Sequence, residues 1–301
     1  MTTDVLLSTP VAARGLQVAA DYASLTKPRI IELLLITTLP AMLVAAGGWP
    51  GGGLVVATLI GGAAVSGSAH ATNMVIDRDI DAAMTRTAHR PLPSGRISER
   101  GALAFAAVLL VGGATLMLTV SGWLAAALTV AAWLHYVLVY TVWLKRRSVQ
   151  NIVIGGAAGA TPPLIGWAAV TGELAPPAWV LFALVTLWTP THFWALAVGT
   201  GQDYARANVP MLPVVRGPLV AAKHGAVYAT ATVGTALLLP VAGIGGWPLA
   251  IATALLGVWF LGRALALVRD PGPKRAWRLF HASNAFLAGY SVLVAAAAFL
   301  W

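Results

Sequence analysis

The 301-residue chain is predicted to be an all-α polytopic membrane protein of about nine transmembrane helices. Three observations predict this class. Hydrophobic residues make up 58% of the chain and charged residues 10%, with a mean hydropathy of +0.80, whereas a soluble domain carries about 25% charged residues. The apolar residues form long continuous runs, without the period-two alternation of a membrane barrel. The basic residues keep to every other connection, all on one side of those runs, and loss of one crossing would scramble that alternation.

The elements follow in order. Residues before Lys27 are mixed in character. The first apolar run, 30–48, exceeds the ~7–15 residues of a secretory signal core and carries Glu32, so no cleavage is expected. Further runs of spanning length lie at 53–72, 101–120, 122–142, 150–170, 176–197, 219–241, 246–268 and 277–300. Four connections are short and carry turn chemistry: Gly47-Gly48-Trp49-Pro50, Ser121-Gly122, Thr171-Gly172-Glu173 and Gly245-Gly246-Trp247-Pro248. The other connections are longer and basic. All 19 Lys and Arg fall in that second set, in the N-terminal segment or at the adjoining ends of the runs, and none in the four short turns. Such a bias predicts a cytoplasmic N-terminus and an outer C-terminus at Trp301 in a cell (inner or plasma) membrane. Residues 1–28 then form a cytoplasmic segment, and 29–301 one transmembrane domain with cytoplasmic cap loops at 73–100 and 198–218. The net charge of +9 is positive-inside signal, so the expected surroundings are the lipid bilayer and not nucleic acid. With no cysteine, thiolate catalysis, iron–sulfur clusters and disulfides are excluded.

Acidic residues number 10 in all, yet three sit in "NMVIDRDID", 73–81. Asn73, Asp77 and Asp81 are four apart, which stacks them on one helical face with about 6 Å of rise per step. His70 and Ser66 extend the stripe backwards. Lipid cannot satisfy such groups, so the stripe is expected to face the bundle or a wet cavity. Two carboxylates and an amide suit magnesium, which prefers hard oxygens and is held by one or two carboxylates plus substrate phosphates. The plainer reading is a helix end whose acids offset nearby arginines. The following "RTAHRPLPSGRISER" cannot continue the helix past Pro91 and Pro93. It brings Arg86 and Arg90 near the acids, where guanidinium forks would bind phosphate oxygens; Lys27, Arg29 and Arg78 are further candidate substrate-binding cations. "GQDYARANVPMLPVVRG" faintly echoes this segment four helices later, in the sense of a parallel repeat. If the echo is structural, Asp203 faces Asp77 and Asp81 across a cavity and completes a second ion site.

"NMVIDRDIDAAMTRTAHRPLPSGRI" resembles the first aspartate-rich motif of the UbiA-type intramembrane prenyltransferases. "TKPRIIELLLITTLPAM", "LKRRSVQNIVIGGAAGATPPLIGWAAVTG" and "WTPTHFWALA" with "DYARANVPMLPVV" are similar, more narrowly, to the branch of that family whose acceptor is heme. The likeness runs from Thr26 to about Gly217 and then thins to topology. It implies nine helices in a ring around a central cavity with a cytoplasmic cap. It also implies magnesium-dependent transfer of farnesyl from farnesyl diphosphate to a vinyl carbon of heme B with addition of water, giving heme O. On that resemblance Asn73, Asp77 and Asp81 hold magnesium, Asp203 belongs to the second motif, and Lys145 with Tyr140 matches the family's basic and tyrosine positions near the diphosphate. This second motif has one acid where many relatives outside the heme branch have two. Heme A synthase or cytochrome oxidase assembly is the onward partner considered. Among the histidines, His192 is the first candidate for heme contact, ahead of His70 and His135. Glu32, one turn from Arg29, is read as an ion pair or a substrate contact, with substrate preferred, and Asn151 as a contact to diphosphate or to backbone.

Two other readings compete. A quinone-precursor ring as acceptor would use the same acidic motif. A cation- or proton-coupled transporter would place its carboxylates near the bilayer midplane, whereas these lie at the cytoplasmic end beside basic loops.

Overall fold

The computed structural model describes residues 11–300. Among these, nine helices are long and apolar enough to cross a membrane: Pro28–Ala46, Gly52–Ile76, Glu99–Ser121, Trp123–Leu144, Asn151–Thr171, Pro176–Gly199, Pro218–Val241, Gly246–Arg269 and Pro273–Leu300, numbered here as spans one to nine. Each coincides with a predicted apolar run to within a few residues. The chain is an all-helical multi-pass membrane protein. Trp301, and with it the predicted outer end, lies outside the described residues, as does the start of the predicted N-terminal segment.

The surface is built for lipid. Val108, Leu255 and Val292 are each about two-thirds exposed, and no water is needed there because each helix satisfies its own backbone. Trp49, Trp123, Trp179 and Trp247 stand at least half exposed at or just beyond the four short turns, where amphipathic indoles mark a membrane–water boundary.

Spans two and three approach closely because glycines face each other: a Cβ on Gly61 would lie 2.8 Å from Met117 Cγ, and one on Gly113 would lie 2.9 Å from the Gly61 carbonyl. Spans six to nine enclose a solid core. Phe260 and Phe286 stack at 4.7 Å, the Tyr290 hydroxyl donates to the Ala236 carbonyl at 3.0 Å, and Trp188 Nε1 donates to the Ser283 carbonyl at 2.8 Å. Span one packs against spans five and nine and closes the ring. The other half of the bundle is hollow, with a cavity of about 320 Å³ between spans one, two, four, five and six.

One helix was not foreseen. Val11–Leu25 precedes span one and buries Asp21 and Leu25 while its other face stays exposed. Leu25 packs with Ala71, Met74, Leu92 and Ile97, and Arg96 Nε donates to both Asp21 oxygens at 3.0 and 3.2 Å. This ties the cap loop to the start of the chain.

Candidate active site

Span two does not run unbroken through the acidic stripe. Asp77 adopts φ −94°, ψ 13° and separates the span from a short helix, Arg78–Ala83. The spacing survives the break, because the Asp77 amide bonds the Asn73 carbonyl at 2.9 Å and the Asp81 amide bonds the Asp77 carbonyl at 2.8 Å. Asn73, Asp77 and Asp81 are all buried, and Asn73 Nδ2 donates to Asp77 Oδ2 at 2.6 Å.

Each of the three is met by a cation from elsewhere. The Lys27 ammonium donates to Asn73 Oδ1 at 2.8 Å, Lys145 to Asp77 Oδ2, and Arg90 to both Asp81 oxygens at 2.8 and 2.9 Å. Lys27 sits at φ 53° between the N-terminal helix and Pro28, a left-handed conformation that costs a non-glycine residue about 1–2 kcal/mol. Strain of this kind persists where the surroundings impose it; here it turns the side chain inward. Burial, reinforced by the charges of Arg90 and Lys145, lowers the Lys27 ammonium to about 7. On the outer side, two hydrogen bonds from Arg146 hold Asp79 down at about 2.

Span four delivers Tyr140 and Lys145. Over His135–Leu144 its coil widens to π-helical geometry, with the Lys145 amide bonding the Tyr140 carbonyl at 2.8 Å. In an α-helix residues five apart diverge by ~140° around the axis; the wider coil keeps Tyr136, Tyr140 and Lys145 all on the cavity wall. Gly155 provides the seat for Tyr140, since a Cβ there would lie 2.9 Å from Tyr140 Cβ. Gly156 likewise meets Thr189 of span six, so the small-residue run of span five lets both neighbours approach closely.

Lys27, Asn73, Asp81, Arg86, Arg90, Tyr140 and Lys145 therefore share one end of the cavity. Asp77 lies behind them, bonded to Asn73 and Lys145. Its Oδ1 is buried without a hydrogen-bond partner, the Arg146 guanidinium being 3.7 Å away. Below this charged end the wall is mostly apolar, with Ile31, Leu34, Val65, Ile152, Phe193 and Leu287. Sequence reasoning overlooked Tyr136, Tyr204 and Thr141. Thr141 accepts from Asn73 Nδ2 at 3.1 Å, and only its position four residues before Lys145 hinted at the site.

The other predicted residues are not brought to this wall. Arg29 and Glu32 are exposed and, among the described residues, make no ion pair. Arg78 pairs with Glu99 at the surface. Asp203, expected to face the acids across the cavity, instead accepts from the Thr85 amide at 3.2 Å and from Arg206 at 2.8 Å, so its carboxylate braces the two cap loops against each other. His192 is sandwiched between Trp188 and Phe280, at 4.4 and 4.5 Å, and bonds Ser283 Oγ at 2.8 Å; it faces span nine. Asn151 is buried off the wall with both amide atoms unpartnered. His135 bonds the Ile154 carbonyl at 3.0 Å.

Comparison with known proteins gives the family. The chain resembles a protoheme IX farnesyltransferase of Clavibacter michiganensis subsp. michiganensis at 49% identity over 88% of each chain. It resembles another of Synechococcus sp. (strain JA-2-3B'a(2-13)) at 50% identity, over 90% of this chain and 82% of that one. The fold matches a digeranylgeranylglyceryl phosphate synthase with a TM-score of 0.78 at 19% identity, covering 95% of this chain and 100% of that one. It also matches a UbiA homologue from Archaeoglobus fulgidus bound to GPP and Mg2+, with a TM-score of 0.69 at 18% identity, covering 92% and 99% of the respective chains. The UbiA prenyltransferase family model spans residues 34–290, and the chain therefore belongs to the UbiA prenyltransferase family.

Proposed function

We propose that this chain transfers the farnesyl group of farnesyl diphosphate to a vinyl group of heme B, with addition of water, giving heme O and diphosphate. The observation that carries the acceptor is identity near one half, over almost the whole chain, with relatives named protoheme IX farnesyltransferase. The cavity supports the chemistry, because a charged end and an apolar body suit an amphiphile with a diphosphate head and an isoprenoid tail.

The donor set fits a hard divalent cation. Asp77 Oδ1 is a buried acceptor in want of a partner, and Asn73 and Asp81 add oxygens on the same flank. Among the described residues no three acidic or histidine side chains converge into a closed cage, which accords with an ion completed by substrate phosphates. Asn73, Asp77 and Asp81 would hold magnesium. When bound, magnesium would offset the charge that grows on the leaving diphosphate.

Lys27, Arg86, Arg90 and Lys145 bind the diphosphate oxygens, and the two lysines and Arg90 release their present carboxylate and amide partners as they do so. As the C1–oxygen bond of the substrate lengthens, these fixed cations stabilise the departing anion without reorganisation. The tyrosine faces of span four lie beside the charged end, where they stabilise the allylic cation. The apolar wall keeps bulk water from it. The enzyme is oriented in the cell membrane with the charged end toward the cytoplasm, a reading supported by the segregation of all Lys and Arg and by the tryptophans at the opposite turns.

The test is incubation of membranes containing the protein with heme B, farnesyl diphosphate and magnesium, followed by mass analysis of the extracted hemes. A hydroxyethylfarnesyl heme that disappears on chelation is expected. Unchanged heme would overturn the reading, and a prenylated aromatic acid formed instead would move the acceptor to the quinone-precursor class.

A further inference from the structure

The addition of water leaves a proton unaccounted for, and the charged end supplies no free base for it. Asp77 and Asp81, now paired with Lys145 and Arg90, would hold magnesium in the substrate complex, while Lys27, Arg90 and Lys145 turn to the diphosphate. The threonine hydroxyls of the wall are also engaged: Thr37 and Thr38 with the Leu34 carbonyl, Thr129 with Ala125, Thr189 with Val185 and Thr58 with Ser121. His70 differs. It lines the cavity and is 5% exposed, and its Nε2 is buried with no partner. Its Nδ1 lies 3.2 Å from the Tyr136 hydroxyl, and the two rings meet edge to face at 5.2 Å. In the tautomer whose Nδ1–H donates to the Tyr136 oxygen, Nε2 keeps its lone pair unengaged.

We propose that His70 Nε2 is the general base that takes the proton of the added water, with Tyr136 as the residue that orients it; the proposal rests on the farnesyl transfer inferred above. The vinyl electron pair forms the new bond to farnesyl C1 as the C1–oxygen bond breaks and its electrons leave with diphosphate. The resulting cation, on the vinyl carbon next to the porphyrin ring, is attacked by a water oxygen, and the proton of that water passes to His70. Net, heme B, farnesyl diphosphate and water give hydroxyethylfarnesyl heme, diphosphate and one proton. The placement is apt. His70 stands three residues, ~4.5 Å of helix rise, below Asn73 and hence just inside the diphosphate end. The reacting vinyl is at the porphyrin rim, so a group one turn from the diphosphate lies beside the rim and not under the ring centre.

The decisive measurement is the product ratio of His70→Ala. Without the base the cation discards a proton of its own and gives a farnesylated heme lighter by one water. Hydrated product should fall about 100-fold while the lighter product and diphosphate still form, and added imidazole should restore the hydrated product. His70→Gln, which keeps a hydrogen bond to Tyr136, serves the same ratio measurement should the alanine variant fail to insert. A wild-type ratio of hydrated to lighter product in either variant would overturn the proposal. Loss of an axial nitrogen ligand from the spectrum of bound heme B would also overturn it, by making His70 an iron ligand. A wild-type protein that farnesylates no heme would instead sink the underlying function.

Discussion

The two loops that resemble each other in sequence do different things in space. In 73–100 Asp77 and Asp81 turn inward and are met by side-chain cations, Asp77 by Lys145 of span four and Asp81 by Arg90 of the same folded-back loop. In 198–218 Asp203 is held by Arg206, three residues on, and by a backbone amide of the first loop. A motif spacing thus establishes that a carboxylate is near the cap but not which way it points. What separates a site from a brace is whether the cation that meets the acid lines the cavity, as Lys145 and Arg90 do, or stands off it, as Arg206 does.

Four substitutions break or sharpen this contrast. Asp77→Asn should have the largest effect, a loss of about 10²–10³-fold in turnover with insertion retained, read from heme products by mass. A variant that keeps most of its turnover at limiting magnesium would remove Asp77 from the metal. Next, Arg90→Gln should raise KM for farnesyl diphosphate about tenfold or more, the value of a charged hydrogen bond of ~1.5–3 kcal/mol, with a smaller change in kcat. Asp203→Ala should invert the pattern, lowering stability by about 1 kcal/mol as the Thr85 amide loses its acceptor, measured by thermal unfolding in detergent, with activity reduced less than about tenfold. A loss equal to that of Asp77→Asn would make the two loops equivalent after all. Glu32→Gln should be nearly silent, within about 0.5 kcal/mol and with turnover unchanged, because its side chain is exposed and away from the cavity wall.

Much of the fold is legible because lipid imposes a simple rule: a span must be a continuous apolar helix, so run length, Gly-Trp-Pro turns and basic segregation locate the nine spans found among the described residues. The inward acids are legible for a related reason, as charge scarcity makes three aspartates in nine residues stand out. Other features depend on long-range geometry. Lys27 reaches Asn73 only because its own backbone is left-handed, a conformation that no residue type other than glycine announces. The pairing of Tyr140 with Lys145 requires a widened coil, and apolar composition cannot distinguish that from an α-helix. His192 and Glu32 were read as polar groups in apolar runs, which they are. The fold gives one a serine and two aromatic neighbours and the other an exposed face, and both needs are met without a substrate.

The widened turn of span four carries one more consequence. Its register is set by counting five residues where an ordinary helix would count four, so side-chain chemistry there is inseparable from chain length. Adding or deleting a single residue between 135 and 145 would rotate everything on one side of the change by ~100°. Lys145 would swing off the wall even though every amino acid of the site remained in the sequence. Point substitutions can be absorbed at the exposed positions of this stretch, such as Leu138 and Val142, but an indel at those same positions cannot.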